Sequence, residues 1–150
     1  MRSDGDRVVS SAGRIESPLA AVFEFVADPS QHPRWDGNDN LSRAPSGQRI
    51  TAAGQMFTMT LTRGSVRENH VVEFEERRVI AWMPAEPGKP PVGHLWRWQF
   101  VEDDAGSTLV THTYDWTNLH DPQRLERARW TTSERLAASI KRLRELAERS

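Results

Sequence analysis

The 150-residue chain has no cysteine, which excludes disulfides, thiolate metal ligands and thiol nucleophiles, and fits a reducing, cytoplasmic setting. It has almost no net charge: 20 basic residues stand against 21 acidic ones, for a formal −1. That balance supplies no electrostatic pull toward nucleic acid or an anionic membrane. Apolar runs long enough to span a bilayer are absent, and the polar opening Met1 to Arg7 lacks the apolar core of a secretion signal, so no stable membrane insertion is expected. The five histidines (His32, His70, His94, His112, His120) show no i, i+2 or i, i+4 pair and no HExxH spacing, and no glycine loop of the phosphate-cradling kind or nucleophile-elbow serine is found. No metal and no cofactor is therefore expected. Tyrosine is nearly absent as well, with Tyr114 alone against six tryptophans.

What is present is one domain's worth of chain, able to bury roughly 70% of its unfolded surface around a single core. Residues 1–6 are expected to be disordered and 7–149 to form the domain. The most regular stretch is the last. Asp121 can cap free backbone N–H groups and Pro122 suits the first helical position, so a single amphipathic helix is expected from Asp121 to Arg149. Leu125, Ala128, Thr132, Leu136, Ile140, Leu143 and Ala147 make its apolar stripe, while Glu126, Glu134, Lys141, Arg144, Glu145 and Glu148 face away. The stripe is uneven. Its first half carries Ala128, Arg129 and Thr132, and an unpaired buried arginine costs several kcal/mol, so that half is expected to face something wet. Thr131 and Glu134 have capping-box spacing, which marks a place near Trp130 where the helix can break.

Ahead of it, Arg7 to Glu16 reads as a strand that is weak at Ser10 to Gly13. Ser17-Pro18 gives a cap-plus-proline start for a helix with Leu19, Val22, Phe23 and Val26 on one stripe, and Asp28-Pro29 starts a short turn of helix ending near His32-Pro33. After a polar stretch with a short strand near Leu41 to Ala44, the period becomes two. Strands are predicted through Phe57-Met59-Leu61, Val66 to Phe74, Arg78 to Met83, His94 to Val101 and Thr108 to Trp116, with a proline-rich loop from Pro84 to Gly93 placed to cover a cavity mouth. Strands joined by short turns pair antiparallel and leave one apolar face for the last helix. A sheet that curls around such a helix leaves a cavity.

This order, with Ile15-Glu16-Ser17-Pro18-Leu19-Ala20-Ala21-Val22-Phe23, Asp28-Pro29, Trp35, Gly54, Glu76-Arg77-Arg78-Val79-Ile80-Ala81-Trp82 and Gly106-Ser107-Thr108-Leu109-Val110, resembles the polyketide cyclase/dehydrase and lipid-transport family of the START and birch-pollen-allergen (SRPBCC) superfamily. The resemblance implies an α+β helix-grip fold: a curved antiparallel sheet of six to seven strands wrapped around a long C-terminal helix, with two short helices after the first strand. It also implies a cavity between sheet and helix for a hydrophobic or amphipathic small molecule, such as a lipid, an isoprenoid or a polyketide-like aromatic. The motifs that carry it are caps, turns and packing positions, so they define fold more than activity. The oxygenase branch of the superfamily is set aside, because this short chain lacks its inserted iron-binding segments.

Alternation places His94, Trp96, Trp98 and Phe100 on one strand face, and Val110, His112, Tyr114 and Trp116 on another. His94, Trp96, Trp98, Val110 and Trp116, with Phe57, Met59, Thr132 and Leu136, are the expected ligand-binding residues. Three function classes follow. The first is a binding or carrier domain. The second is a cyclase or dehydratase in which His112 acts as general acid/base and Tyr114 as oxyanion donor, with Arg129 from the helix. The third is a protein-interaction module of the co-chaperone kind, its interior filled by its own side chains. Either a monomer or a homodimer is compatible with the chain.

Overall fold

The computed structural model describes residues 7–149, so the expectation for residues 1–6 lies outside the described residues. The chain runs β1 (Val8–Ile15), α1 (Leu19–Ala27), a 3-10 turn (Pro29–Gln31), α2 (His32–Trp35), β2 (Leu41–Arg43), β3 (Met56–Leu61), β4 (Val66–Glu75), β5 (Val79–Ala85), β6 (Leu95–Glu102), β7 (Thr108–Asp115), α3 (Pro122–Trp130) and α4 (Ser133–Arg149). All seven strands form one antiparallel sheet in the order β1-β7-β6-β5-β4-β3-β2. Helix α4 lies across β1 and β7 and is held from the side by α1 and α2. This is the helix-grip α+β fold.

Two glycines explain how close that helix comes. Gly13 lies in the stretch of β1 that reads as weak strand, and β1 nevertheless runs unbroken, paired through Gly13 with Val110 of β7. A Cβ at Gly13 would sit 2.9 Å from Ile140 Cγ2 of α4. On the other side, a Cβ at Gly37 would lie 2.7 Å from both the Arg135 carbonyl oxygen and the Ser139 nitrogen, while the Gly37 N–H donates to Ser139 Oγ at 2.8 Å. Only hydrogen fits in these places. Arg142 closes the same clasp, donating to the Asp36 carbonyl oxygen at 2.5 Å and to Asp39 Oδ1 at 2.7 Å.

Beneath α4, Phe23 packs edge-on against Phe74 and Phe100, with centroids 6.0 and 5.1 Å away, among Ile15, Val22, Ile80, Trp98, Ile140 and Leu143. Burying a phenylalanine of this kind stabilises by roughly 1.5–3 kcal/mol. A second cluster gathers Tyr114, Trp116, Leu119, Ala128 and Leu136 where α3 meets α4.

Beyond one-residue shifts at strand ends, four features differ from expectation. The stretch expected as one helix over Asp121 to Arg149 is two helices, parted next to Trp130 where the Thr131/Glu134 spacing allows a break, because Thr131 is extended (φ −81°, ψ 94°). Its Oγ1 donates to the Arg127 carbonyl at 3.2 Å, and the Thr132 carbonyl then accepts from Arg135 and Leu136 to start α4. Thr131, Thr132 and Ser133 in succession offer the backbone such local bonds in place of helical ones. At α1, Ser17 makes no cap; Pro18 itself is the extended residue before the helix (ψ 145°). Asp28 does cap, accepting from Ser30 N at 3.1 Å, and the helical turn it opens continues through Trp35.

The fourth difference shapes the site. Strand β5 continues through Met83 and Pro84 to Ala85, pairing with β4 as far as Glu68↔Ala85, whereas its ladder with β6 ends at Trp82↔Trp96. Beyond Trp82 the strand has one neighbour only, so proline's missing N–H costs nothing on the open side. The sheet parts there.

Candidate functional site

A cavity of about 380 Å³ lies where β5 and β6 separate. Its floor is the inner face of the sheet: Phe57 and Met59 of β3, Arg67 and Asn69 of β4, Trp82 and Pro84 of β5, Trp96 of β6, His112 and Tyr114 of β7. Its roof is α3, through Arg124, Arg127, Ala128, Trp130 and the following Thr131. His32, Trp35 and Asp36 close one end, and Glu86 and His94, from the loop between β5 and β6, edge the other. No α4 residue lines it, so the wet half of the expected helix is α3 and the dry half is α4.

The wall is a run of stacked rings. His112 stacks on Trp98 (centroids 3.8 Å, planes 16° apart) and on Trp96 (5.7 Å, 18°), and Trp96 lies 4.3 Å from the Tyr114 ring. At the far end His32 stacks on Trp82 at 5.1 Å and meets Phe57 edge-on at 5.5 Å.

Burial keeps the three imidazoles and the phenol at the cavity uncharged. His112 Nδ1 lies 3.2 Å from the Arg97 carbonyl, which can only accept, so Nδ1 carries the proton and Nε2 is left as an acceptor; burial lowers its pKa to about 3. His32 Nε2 likewise donates to the Val26 carbonyl at 2.6 Å, and burial lowers its pKa to about 4. Burial also lowers His94 to about 4, with repulsion from Arg124 and Arg67 adding to it, and its buried Nδ1 has no hydrogen-bond partner. Burial raises the Tyr114 phenol well above its ordinary value. Asp36 is raised too, by burial, although its carboxylate accepts from the backbone of Asn38 and Asn40. At neutral pH these imidazoles and the phenol offer hydrogen bonds and aromatic faces rather than proton transfer. A base works best with a pKa near the working pH, and His112 is far below that.

Of the expected site residues, His94, Trp96, His112, Tyr114, Phe57 and Met59 come together around the cavity. Trp98 and Val110 are in the packed core instead, and Trp116 and Leu136 belong to the second cluster. Arg129 and Thr132 are not among the lining residues: the helix ends before Thr131, and it is Arg127, the expected Ala128 and Thr131 that border the cavity. Of the expected lid, Pro84 and Glu86 reach the cavity, Pro84 as part of β5. Sequence reasoning missed Arg67 and Asn69, although alternation with Val71 put both polar side chains on the inner face of β4. It also missed His32, Asp36, Arg124 and Arg127. Among the described residues, no group of three or more His, Cys, Asp or Glu comes together to hold a metal, and no helix is long and apolar enough to cross a membrane.

A curved antiparallel sheet gripping a C-terminal helix, with a cavity kept open beside the grip, defines the START-like class. The chain belongs to the polyketide cyclase/dehydrase and lipid transport family, whose profile matches residues 7–148. An uncharacterized protein of Mycobacterium tuberculosis, Rv0088, is 26% identical over 115 residues, covering 72% of this chain and 47% of that protein. The chain thus spans about half the length of the curated relatives it matches. Among solved structures, protein MLL2253 from Mesorhizobium loti superposes with a TM-score of 0.70 at 16% identity, covering 95% of this chain and 98% of that one. A START superfamily protein from Mycobacterium smegmatis gives 0.66 at 16% identity, with 95% and 97% covered. At such identities the likeness speaks for fold alone.

Proposed function

We propose that this domain binds a hydrophobic or amphipathic small molecule, of lipid, isoprenoid or polyketide-like type, in the cavity between the sheet and α3. The observation that carries the reading is the space itself. The chain's own rings wall about 380 Å³ without filling it, a volume within the range of small-molecule sites, and the polar groups among those rings are few and fixed in direction. Met59 is buried yet belongs to neither packed cluster, so its side chain abuts the cavity rather than a dry core.

The cyclase or dehydratase reading needs His112, Tyr114 and Arg129 to meet at one point. Two of them line the cavity and Arg129 does not, and a neutral His112 with a pKa near 3 is a weak base. The reading as a protein-interaction module needs a filled interior, which the cavity argues against.

Native mass spectrometry of gently purified protein, followed by titration with a panel of lipids, isoprenoids and polycyclic aromatics read by tryptophan emission, tests the binding reading. Trp35, Trp82, Trp96 and Trp130 all line the cavity and report its occupancy. A co-purifying mass, or saturable quenching, is expected. A clean apo mass with no response across the panel would remove the reading.

A further inference from the structure

We propose that the molecule taken up in this cavity is an amphiphile bearing a carboxylate, which docks between Arg67 and Arg127 while its apolar part lies along Trp96, Trp82 and Met59. The inference rests on the binding reading above and narrows it.

The charges at that corner do not balance. Arg124 is matched, pairing with Asp121 Oδ2 at 2.6 Å and Glu86 Oε1 at 3.5 Å, and Glu86 is itself shared with Lys89 at 3.3 Å. Arg67 and Arg127 have no carboxylate partner among the described residues. The side-chain hydrogen bond found for Arg67 goes to the carbonyl of its own neighbour Val66, at 3.2 Å. Arg67 is partly buried on the inner face of β4, and holding a guanidinium there without a counter-ion is costly. Burial, Arg124 and Arg127 each work against its charge, and Glu86 alone favours it.

A second observation points to the same ligand. His94 lies beside this corner, and its Nδ1 is buried without a partner. An anionic oxygen held by the two guanidiniums would give a neutral imidazole N–H its acceptor. The planar fork of a guanidinium matches a carboxylate in two parallel hydrogen bonds. A cationic ligand finds no equivalent, since Glu86 is already shared and Asp36 is occupied by the Asn38 and Asn40 N–H groups.

The test uses 11-dansylaminoundecanoic acid and its uncharged primary amide, titrated against the whole chain by dansyl emission. The acid should bind at least about tenfold tighter than the amide, and the gap should narrow as salt is raised from about 0.05 to 0.5 M. The double variant Arg67→Gln, Arg127→Gln should bring the two ligands within about twofold, the acid losing more affinity than the amide. Arg127→Gln alone, on an exposed helix position, keeps the test open if the double variant folds poorly and should narrow the gap partway. Equal binding of acid and amide to the unaltered chain, or a gap that survives in the variants, overturns the carboxylate assignment and leaves cavity binding standing. Displacement of the bound acid by equimolar acetate overturns it as well, since a bare anion would then suffice. Binding of neither probe overturns the carboxylate assignment, while cavity binding stands or falls by the wider panel.

Discussion

His112 of β7 and Trp98 of β6 are register partners whose rings stack 3.8 Å apart at 16°. The indole face, together with the Nδ1 bond to the Arg97 carbonyl, fixes a neutral imidazole in the wall of the cavity. Its orientation is therefore set by packing, and its charge state is set by burial.

That charge state makes stability depend on pH. His32, His94 and His112 have folded-state pKa values of about 4, 4 and 3, below the ordinary 6.5. Between these values the unfolded chain takes up protons that the folded chain does not, so stability is full above about pH 6.5 and falls as pH drops toward about 4. The lowered carboxylates Glu73 and Glu76 act only below their own ordinary range, and Asp36, raised by burial, acts in the opposite sense. Urea unfolding should lose about 2–4 kcal/mol from pH 7.5 to 5.5, at up to about 1.4 kcal/mol per imidazole per pH unit. His112→Phe should remove about a third of that slope. A flat profile would mean that these imidazoles titrate freely in the folded state.

Filling the cavity should separate binding from stability. Met59→Trp extends a ring into the open space, and the expected cost to folding is under about 1.5 kcal/mol because the room exists. Affinity for a fluorescent amphiphile should drop at least about tenfold. Unchanged affinity would place the ligand elsewhere.

Gly37→Ala should weaken the clasp on α4. The added Cβ meets backbone on both sides, where no rotamer can yield, so a loss of about 1–3 kcal/mol in urea unfolding is expected. A loss below about 0.5 kcal/mol would show that the loop slides freely over the helix.

Helix α3 should open more readily than α4. It buries Ala128 alone, whereas α4 buries Leu136, Ser139, Ile140, Leu143 and Ala147. Hydrogen exchange should be faster across Pro122–Trp130 than across Ser133–Arg149. Asp121→Ala removes the bond accepted from Gln123 N at 3.0 Å and the Arg124 pair, and should cost about 1 kcal/mol. Equal protection of the two helices would contradict this ordering.

The sheet was readable because alternation is a local property. His94 to Phe100 and Val110 to Trp116 announce their inner faces residue by residue, and the register pairs Trp96 with Tyr114 and Trp98 with His112 on the same face. What alternation cannot say is which inner rings meet space and which meet one another. Trp96 and Trp98 have identical signals, yet Trp96 lines the cavity and Trp98 is sealed in the core. The difference is where β5 parts from β6, a property of two strands at once. The helix stripe held at Ala128, Leu136, Ile140, Leu143 and Ala147 and went astray at the break: a period of 3.6 carried across Thr131 selects Arg129 and Thr132, whereas Arg127 and Thr131 border the cavity. His32 carried no periodic signal, since it sits in a single turn of helix.

The pairing of β1 with β7 also has a consequence for how the chain is made. Val8–Ile15 finds its partner only in Thr108–Asp115, about 100 residues later, and at roughly 5–20 residues per second the ribosome delivers that partner about 5–20 seconds after β1. An exposed apolar strand waiting that long would invite pairing with other chains. Ser10, Ser11 and Gly13, poor strand formers by themselves, lower the tendency of β1 to pair before β7 and α4 are made.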